Sequence, residues 1–202
     1  MTKASLLIAA SYLIGSIPFG LVLGRFAGID VRKAGSGNIG ATNVNRLLGK
    51  KMGAITLAGD ALKALLPTAA AAWFFREAAS RELVTVLCGG AAFLGHLYPV
   101  YLRFQGGKGV ATALGLFLYL QPFAVLAAVL LFGGVVALSG YVSMGSLAAS
   151  AAMPLLVWLL GGTPAVVWLA TVVAVFVWIK HRSNIVRLLK HEENSWKTRW
   201  PT

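Results

Sequence analysis

The chain has 202 residues, of which 58% are hydrophobic and only 12% are charged. That charged share is about half the usual share in soluble domains, and mean hydropathy is +0.78. Because so few charges cannot cover a water-facing surface, the composition excludes a soluble globular protein. The charges are also unbalanced, with 18 basic residues against 6 acidic ones and a formal net charge of +12. These values indicate an integral membrane protein with basic loops.

Apolar stretches along the chain predict an all-α fold, a polytopic membrane helical bundle forming one domain over residues 1–202. A helix needs about 20 residues to cross the hydrocarbon core of a bilayer. The stretch 110–120 is too short, and Gln121-Pro122 interrupts the pattern after it, so we predict a short or re-entrant helix there. This helix and the next stretch are either two segments or one kinked span. The stretches number about seven and lie at residues 6–26, 53–75, 83–102, 110–120, 123–138, 142–160 and 164–179.

Basic residues concentrate in three regions, which are residues 25–52, residues 103–108 and the tail from residue 180. Positively charged loops remain on the cytoplasmic side of a membrane. With seven spans all three regions fall on that side, so we predict an outer amino terminus and an inner carboxyl terminus. For Lys190, Lys197 and Arg199 in the tail, contact with anionic lipid is the favoured interpretation.

The first basic region contains the sequence GSGNIGATN at residues 35–43. Its glycines allow successive backbone N–H groups to converge on an anion, and its polar side chains add donors. The alternative is a flexible turn. A dinucleotide-binding fold is not predicted from its G-x-G-x-x-G pattern, since no β-strand precedes it. The candidate binding residues are Ser36, Gly37, Asn38, Thr42, Asn43 and Arg46.

The second basic region places Gly106, Gly107, Lys108 and Gly109 directly before an apolar helix. A helix start offers unpaired N–H groups and a partial positive charge, which together bind phosphate. Thr112 in the first turn adds a hydroxyl, and His96 lies at the end of the preceding stretch. A plain basic turn and an interfacial histidine are the alternatives.

The third region places His181 and Asn184 on one helix face, with Arg187 one turn beyond Asn184. Ser143 and Ser146 lie one turn apart at the inner start of the sixth stretch, where they share a face.

Asp60 and Lys63 lie within the second apolar stretch at positions i and i+3. Ions inside a membrane are costly and are usually paired. We predict a mutual structural ion pair.

Three separate regions thus bring polar donors and basic side chains to one membrane face, which favours a phosphate-bearing substrate. A metal-dependent enzyme that moves phosphoalcohol groups would need clustered aspartates, and Asp30 and Asp60 do not supply them. The remaining alternative is a membrane transporter of phosphate or an organophosphate. Transporter sites usually lie near the midplane between inverted repeats, and the sequence shows no repeat.

The motifs at residues 35–46, 95–112 and 181–188 resemble, in order, three motifs of the bacterial acyl-phosphate:glycerol-3-phosphate acyltransferase family. The resemblance implies transfer of a fatty acyl group from acyl-phosphate to the 1-hydroxyl of glycerol 3-phosphate, giving lysophosphatidic acid and inorganic phosphate. It also implies the first step of phospholipid synthesis, at the cytoplasmic face of the bacterial inner membrane. No cofactor or metal is implied. His191-Glu192-Glu193 departs from the third motif, and no role is carried over to Glu193.

The resemblance implies catalytic roles for Ser36, Lys108, His181 and Asn184. We expect Arg46, His181 and Asn184 to hold glycerol 3-phosphate. The residues expected to hold the acyl-phosphate or its departing phosphate are Ser36, Gly37, Asn38, Thr42, Asn43 and Lys108. The group that removes the proton is either His181 or the phosphate of the donor. The expected partners are these two substrates and membrane lipid, without nucleic acid, and oligomeric state is not predicted.

Overall fold

The computed structural model describes residues 2–196, which contain nine α-helices and one 3-10 turn. The chain divides into two compact units at the junction between Leu120 and Gln121. Lys197 and Arg199, for which lipid contact is expected, lie outside the described residues.

The first unit is built around a long central helix. Small residues allow its helices to approach closely, because a carbon atom added at Gly15 would strike the backbone of Ala92, and one added at Gly115 would strike that of Ala61. The helices of this unit are α1 (Lys3–Gly15), α2 (Phe19–Phe26), α3 (Ala41–Phe74), α4 (Arg81–Leu97) and α5 (Val110–Leu120), with the 3-10 turn at Val100–Leu102.

The first apolar stretch, predicted as one run over residues 6–26, forms two helices. The backbone N–H of Ser16 donates to the carbonyl of Tyr12 at 2.9 Å, and α1 ends there. Pro18 has no N–H to continue the helix and disfavours helical geometry at the residue before it. Hydropathy alone did not reveal this break, which leaves the backbone carbonyl of Ile17 outside both helices.

Helix α3 begins twelve residues before the predicted start at residue 53. Val44, Leu47 and Leu48 are spaced three and four residues apart, and Val44 belongs to a buried apolar cluster that contains Leu21 and Val31. Gly49, at φ 83°, interrupts the helix. The segment before it is short and amphipathic, so a hydropathy count does not detect it. Thr42, Asn43 and Arg46 therefore lie on a helix rather than in the loop that we expected.

The second unit contains α6 (Pro122–Ser139), α7 (Val142–Leu159), α8 (Pro164–Lys180) and α9 (Arg182–Leu189). Helix α7 packs against both α6 and α8. Proline lies in the first turn of α6 and of α8, where its missing N–H costs nothing. His181 occupies the junction between α8 and α9, and the two helices are bent by 58°.

Within the described residues, four helical segments are long and apolar enough to cross a membrane, or five if α8 and α9 form one broken span. Helix α5 has the predicted bounds and is shorter than a span, with 11 residues. Helix α3, which carries Asp60 and Lys63, is not among the four. The all-α fold with several membrane-spanning candidates is confirmed, and the count of seven spans stays a prediction.

Candidate active site

The loop before α3 is held together by Asn43, whose side chain is almost fully buried. Its amide nitrogen donates to the carbonyl oxygens of Val31 at 2.9 Å, Ala34 at 3.2 Å and Asn38 at 2.9 Å. Its amide oxygen accepts the backbone N–H of Ser36 at 2.9 Å. The side chain of Asn43 is thus engaged with the backbone of the loop.

The same loop turns at Gly35, which has a φ of 61° and lies against the Asn43 side chain. A side chain at this position would both strain the backbone and collide with that amide. Ser36 and Gly37 are exposed at the turn, and Asn38 accepts the backbone N–H of Gly40 at 3.2 Å. Among the candidates on α3, Thr42 is exposed and Arg46 is half-buried.

An ion pair lies at the start of this loop. Both nitrogens of the Arg32 guanidinium that face Asp30 donate to its carboxylate, at 2.9 and 2.6 Å. These bonds hold the pKa of Asp30 well below its usual range. Asp30 therefore stays ionised at neutral pH and does not serve there as a proton donor.

The second loop, residues 106–109, packs directly onto His96 at the end of α4. The backbone N–H of Gly107 donates to the carbonyl oxygen of His96 at 3.1 Å. A carbon atom added at Gly107 would overlap the His96 ring at Nε2 and Cε1, so only glycine fits there. The neighbouring Lys108 is half-buried, and it directly follows the glycine that contacts His96.

Thr112 lies in the first turn of α5, directly after this loop, and is fully buried. Its hydroxyl is a buried side-chain oxygen without a hydrogen-bond partner within the described part of the chain. Buried hydroxyls are nearly always hydrogen-bonded, so an orphaned one at a helix start suits a ligand oxygen.

Lys63 and Asp60 form the predicted ion pair, with 2.7 Å between Nζ and Oδ1. Lys63 also donates to the backbone carbonyl of Ile17 at 2.8 Å, and its Nζ lies 2.8 Å from Nδ1 of His96. The pair therefore contacts the histidine that supports the second loop, a connection that the i, i+3 spacing did not reveal.

In the second unit, the carboxylate of Glu193 gathers three polar side chains. Its Oε1 accepts from Ser143 Oγ at 3.0 Å and from Asn184 Nδ2 at 2.6 Å, and its Oε2 accepts from Arg187 Nε at 2.7 Å. The Glu193 side chain is only 5% exposed. Ser143, Asn184 and Arg187 are therefore brought together around a residue for which the sequence predicted no role. The sequence placed Asn184 and Arg187 one turn apart on a helix, but it did not predict that Ser143 joins them.

Glu193 was given no role because it lies beyond the end of α9, within the stretch that departs from the family motif. Its signal in the sequence is weak, since Glu192 and Glu193 are adjacent and only the second is drawn inward. His191, at φ 58°, turns the chain back so that Glu193 meets α9. This left-handed turn at a non-glycine residue is not predictable from composition.

His181 is buried at the junction of α8 and α9, with Nδ1 2.8 Å from the carbonyl oxygen of Val177. Because a carbonyl only accepts, Nδ1 carries the proton, and in the neutral ring the lone pair is then on Nε2. Ser146 instead donates to the carbonyl of Val142 on its own helix at 2.9 Å.

Comparison with known proteins assigns the family. The profile described as "Glycerol-3-phosphate acyltransferase" matches residues 5–191. The chain belongs to the glycerol-3-phosphate acyltransferase family. A protein of that name from Desulfotalea psychrophila is 52% identical over 187 residues, covering 93% of this chain and 95% of that protein. Another, from Geobacter metallireducens, is 54% identical over 192 residues, covering 95% and 97%.

Solved structures agree with this assignment. The crystal structure of PlsY, an integral membrane glycerol 3-phosphate acyltransferase, in its glycerol 3-phosphate form superposes with a TM-score of 0.91. The identity is 38%, and the match covers 98% of this chain and 97% of that chain. The lysophosphatidic acid form of PlsY gives a TM-score of 0.89 at the same identity and coverage. The chain is thus an integral membrane protein of an acyltransferase family.

Proposed function

We propose that this protein transfers a fatty acyl group from acyl-phosphate to the 1-hydroxyl of glycerol 3-phosphate, giving lysophosphatidic acid and inorganic phosphate. The observation that carries the proposal is the likeness of nearly the whole chain to PlsY structures named for glycerol 3-phosphate and for lysophosphatidic acid. These two names correspond to the acceptor and the acylated product of an acyl transfer. The single domain acts at the cytoplasmic face of the bacterial inner membrane.

The donor phosphate is assigned to the first unit. Ser36 and Thr42 present their hydroxyl groups at the exposed turn and the start of α3. Gly37, Asn38 and Asn43 shape that turn, and the backbone N–H groups of residues 36 and 37 donate within it. Lys108 supplies the positive charge, and the orphaned hydroxyl of Thr112 accompanies the N–H groups of the second loop. An acyl-phosphate is already activated, so neutralising the charge of its departing phosphate is the main demand.

In the second unit, His181 and Asn184 are assigned to the acceptor phosphate, and the assignment of Arg46 to it stays a prediction from the sequence. Glu193 accepts a hydrogen bond from Asn184 Nδ2, and this bond sets the direction of the amide oxygen of Asn184. Fixed donors and acceptors of this kind hold a hydroxyl in line with the acyl carbon and lower the entropic part of the barrier.

In the reaction the 1-hydroxyl oxygen of glycerol 3-phosphate bonds to the acyl carbon, and the bond from that carbon to the phosphate oxygen breaks. The hydroxyl proton leaves with the departing phosphate or passes to Nε2 of His181. Asp30 and Glu193 are poor bases, because Asp30 is paired with Arg32 and Glu193 with Arg187. This favours the phosphate of the donor as the base.

Substitution of Lys108 and Asn184 tests the assignment of the site. Lys108→Ala and Asn184→Ala are each expected to lower turnover by about 100-fold or more, since both stabilise the transition state in this scheme. Lys50→Ala, which removes an exposed lysine from the same basic region as the first motif, is the matched control and is expected to keep its activity. Near-normal rates in correctly folded Lys108 and Asn184 variants would remove those residues from the site.

A further inference from the structure

A buried cluster of Asp60, Lys63 and His96 lies inside the first unit, and the proposed chemistry makes no use of Asp60 or Lys63. All three residues are at most 4% exposed. Charged groups at this depth are costly, so a pair that serves only its own neutralisation gives the protein little stability. Its contact with His96 gives the pair a second use.

A protonated Lys63 fixes which nitrogen of His96 carries a proton, because its Nζ is hydrogen-bonded to His96 Nδ1. Its Nζ has three acceptors for the three hydrogens of an ammonium group: Asp60 Oδ1, the Ile17 carbonyl and His96 Nδ1. An ammonium group only donates, so His96 Nδ1 accepts, and the proton of the neutral ring lies on Nε2. Asp60 Oδ1 is 3.6 Å from His96 Nδ1, beyond hydrogen-bonding distance, so the bond from Lys63 sets this tautomer.

The Nε2 edge of His96 faces the second loop. A carbon atom added at Gly107 would overlap this edge, and the His96 carbonyl accepts the Gly107 backbone N–H at 3.1 Å. His96 therefore holds Gly107 through both its ring and its backbone. The next residue along the chain is Lys108.

We propose that Asp60 and Lys63 are positioning residues for catalysis, which act through His96 to hold the loop 106–109 and so place Lys108 against a substrate phosphate. The proposal rests on the function proposed above for Lys108. The break between α1 and α2 contributes to this arrangement, because it leaves the Ile17 carbonyl outside both helices, where it accepts a hydrogen bond from Lys63. Loss of the ion pair therefore weakens catalysis through misplacement of the loop.

A double-mutant cycle measures this connection. The charge-free variant Asp60→Asn/Lys63→Met removes both members of the pair, so that neither charge is left buried alone. We expect its kcat/KM to fall about 10-fold or more, because small displacements of a catalytic group are costly. When Lys108→Ala is added, the same double substitution is expected to lower the rate less than about 2-fold further, since residues that act as one unit are not additive.

Thr68→Val is the matched control, because Thr68 is buried on the same helix and its hydroxyl donates only within that helix, to Ala64. It is expected to keep both rate and KM. The inference is overturned if folded Asp60→Asn/Lys63→Met enzyme keeps the parental kcat/KM, or if its loss persists in full in the Lys108→Ala background. Failure of the proposed function looks different, because the unsubstituted protein itself would then form no lysophosphatidic acid.

A spectroscopic measurement tests the first step in the unsubstituted protein. The chain has 3 histidines, so ¹⁵N-histidine labelling in detergent gives few signals, which His96→Gln and His181→Gln assign. We expect His96 to carry its proton on Nε2 and His181 to carry its own on Nδ1. A proton on Nδ1 of His96 would contradict donation from Lys63 and overturn the inference.

Discussion

At the scale of single residues, Glu193 is the hydrogen-bond acceptor that connects polar side chains of the second unit. Ser143 and Arg187 are expected from the sequence to contact substrate, yet each of them donates to this carboxylate. Hydrogen bonds to a charged group are stronger than neutral ones, and a nearly buried carboxylate needs several of them. Glu193 therefore holds Ser143, Arg187 and Asn184 in one hydrogen-bonded cluster.

Glu193→Gln is expected to lower both thermal stability and turnover, the latter about 10-fold or more. The substituted amide would turn a donor toward either Arg187 or Asn184, and one buried donor would lose its acceptor. Thermal unfolding in detergent and phosphate release measure the two effects. The exposed neighbour offers a matched control, Glu192→Gln, which is expected to change neither. Equal behaviour of the two variants would contradict the role given to Glu193.

His181→Gln distinguishes the two candidates for proton removal. General-base catalysis by a side chain contributes about 10²–10⁴-fold, so a histidine base would leave a loss of that size and remove a titration step from the pH profile. With the donor phosphate as the base, we expect a loss below about 100-fold and an unchanged pH profile. His191→Gln, at an exposed position, controls for the loss of an imidazole.

At the scale of elements, the loop before α3 depends on a side chain of that helix. Asn43 ties together the carbonyls of residues 31, 34 and 38 and the N–H of residue 36. The apolar cluster around Val31 and Val44 also holds the same loop in place. An exposed, glycine-containing turn is thereby given one conformation before substrate binds.

Asn43→Ala is expected to destabilise the protein by about 1–3 kcal/mol, because it leaves buried carbonyl groups unsatisfied. The loop then loses its fixed shape, so KM for acyl-phosphate is expected to rise as well. Asn45→Ala, at an exposed position two residues along the same helix, is the control. Chemical or thermal unfolding and substrate titration of both variants check the prediction, and a KM as low as that of Asn45→Ala would contradict it.

At the scale of the whole molecule, the sequence predicted the fold class well because composition and hydropathy are sums over many residues. Helix α5 was predicted within its observed bounds, since Gly109 and Pro122 flank its apolar run. The division of the first stretch at Pro18 and the early start of α3 were missed, because each depends on a few local residues within a longer pattern. The contacts of Glu193 and the contact from Lys63 to His96 were missed, because they depend on how the helices pack. The spacing of residues along the sequence does not give that packing.

The distribution of charge predicts the topology of the chain. Basic residues near Lys33 and Lys190 are expected on the cytoplasmic side, and Glu77 on the opposite side. In a Cys88→Ser background, Lys33→Cys, Lys190→Cys and Glu77→Cys supply single thiols for a membrane-impermeant reagent. In right-side-out vesicles only the position at residue 77 is expected to react before lysis. Labelling of residue 33 or 190 in intact vesicles would contradict the assigned orientation.

The most direct test of acyl transfer from acyl-phosphate is the stoichiometry of its two products. Purified protein in detergent is incubated with acyl-phosphate, glycerol 3-phosphate and a chelator of divalent metals, and both products are quantified. We predict one lysophosphatidic acid for each inorganic phosphate released, with neither formed by the Lys108→Ala variant at more than about one hundredth of the rate. Phosphate release without lysophosphatidic acid, or no release by folded protein, would contradict the proposed function.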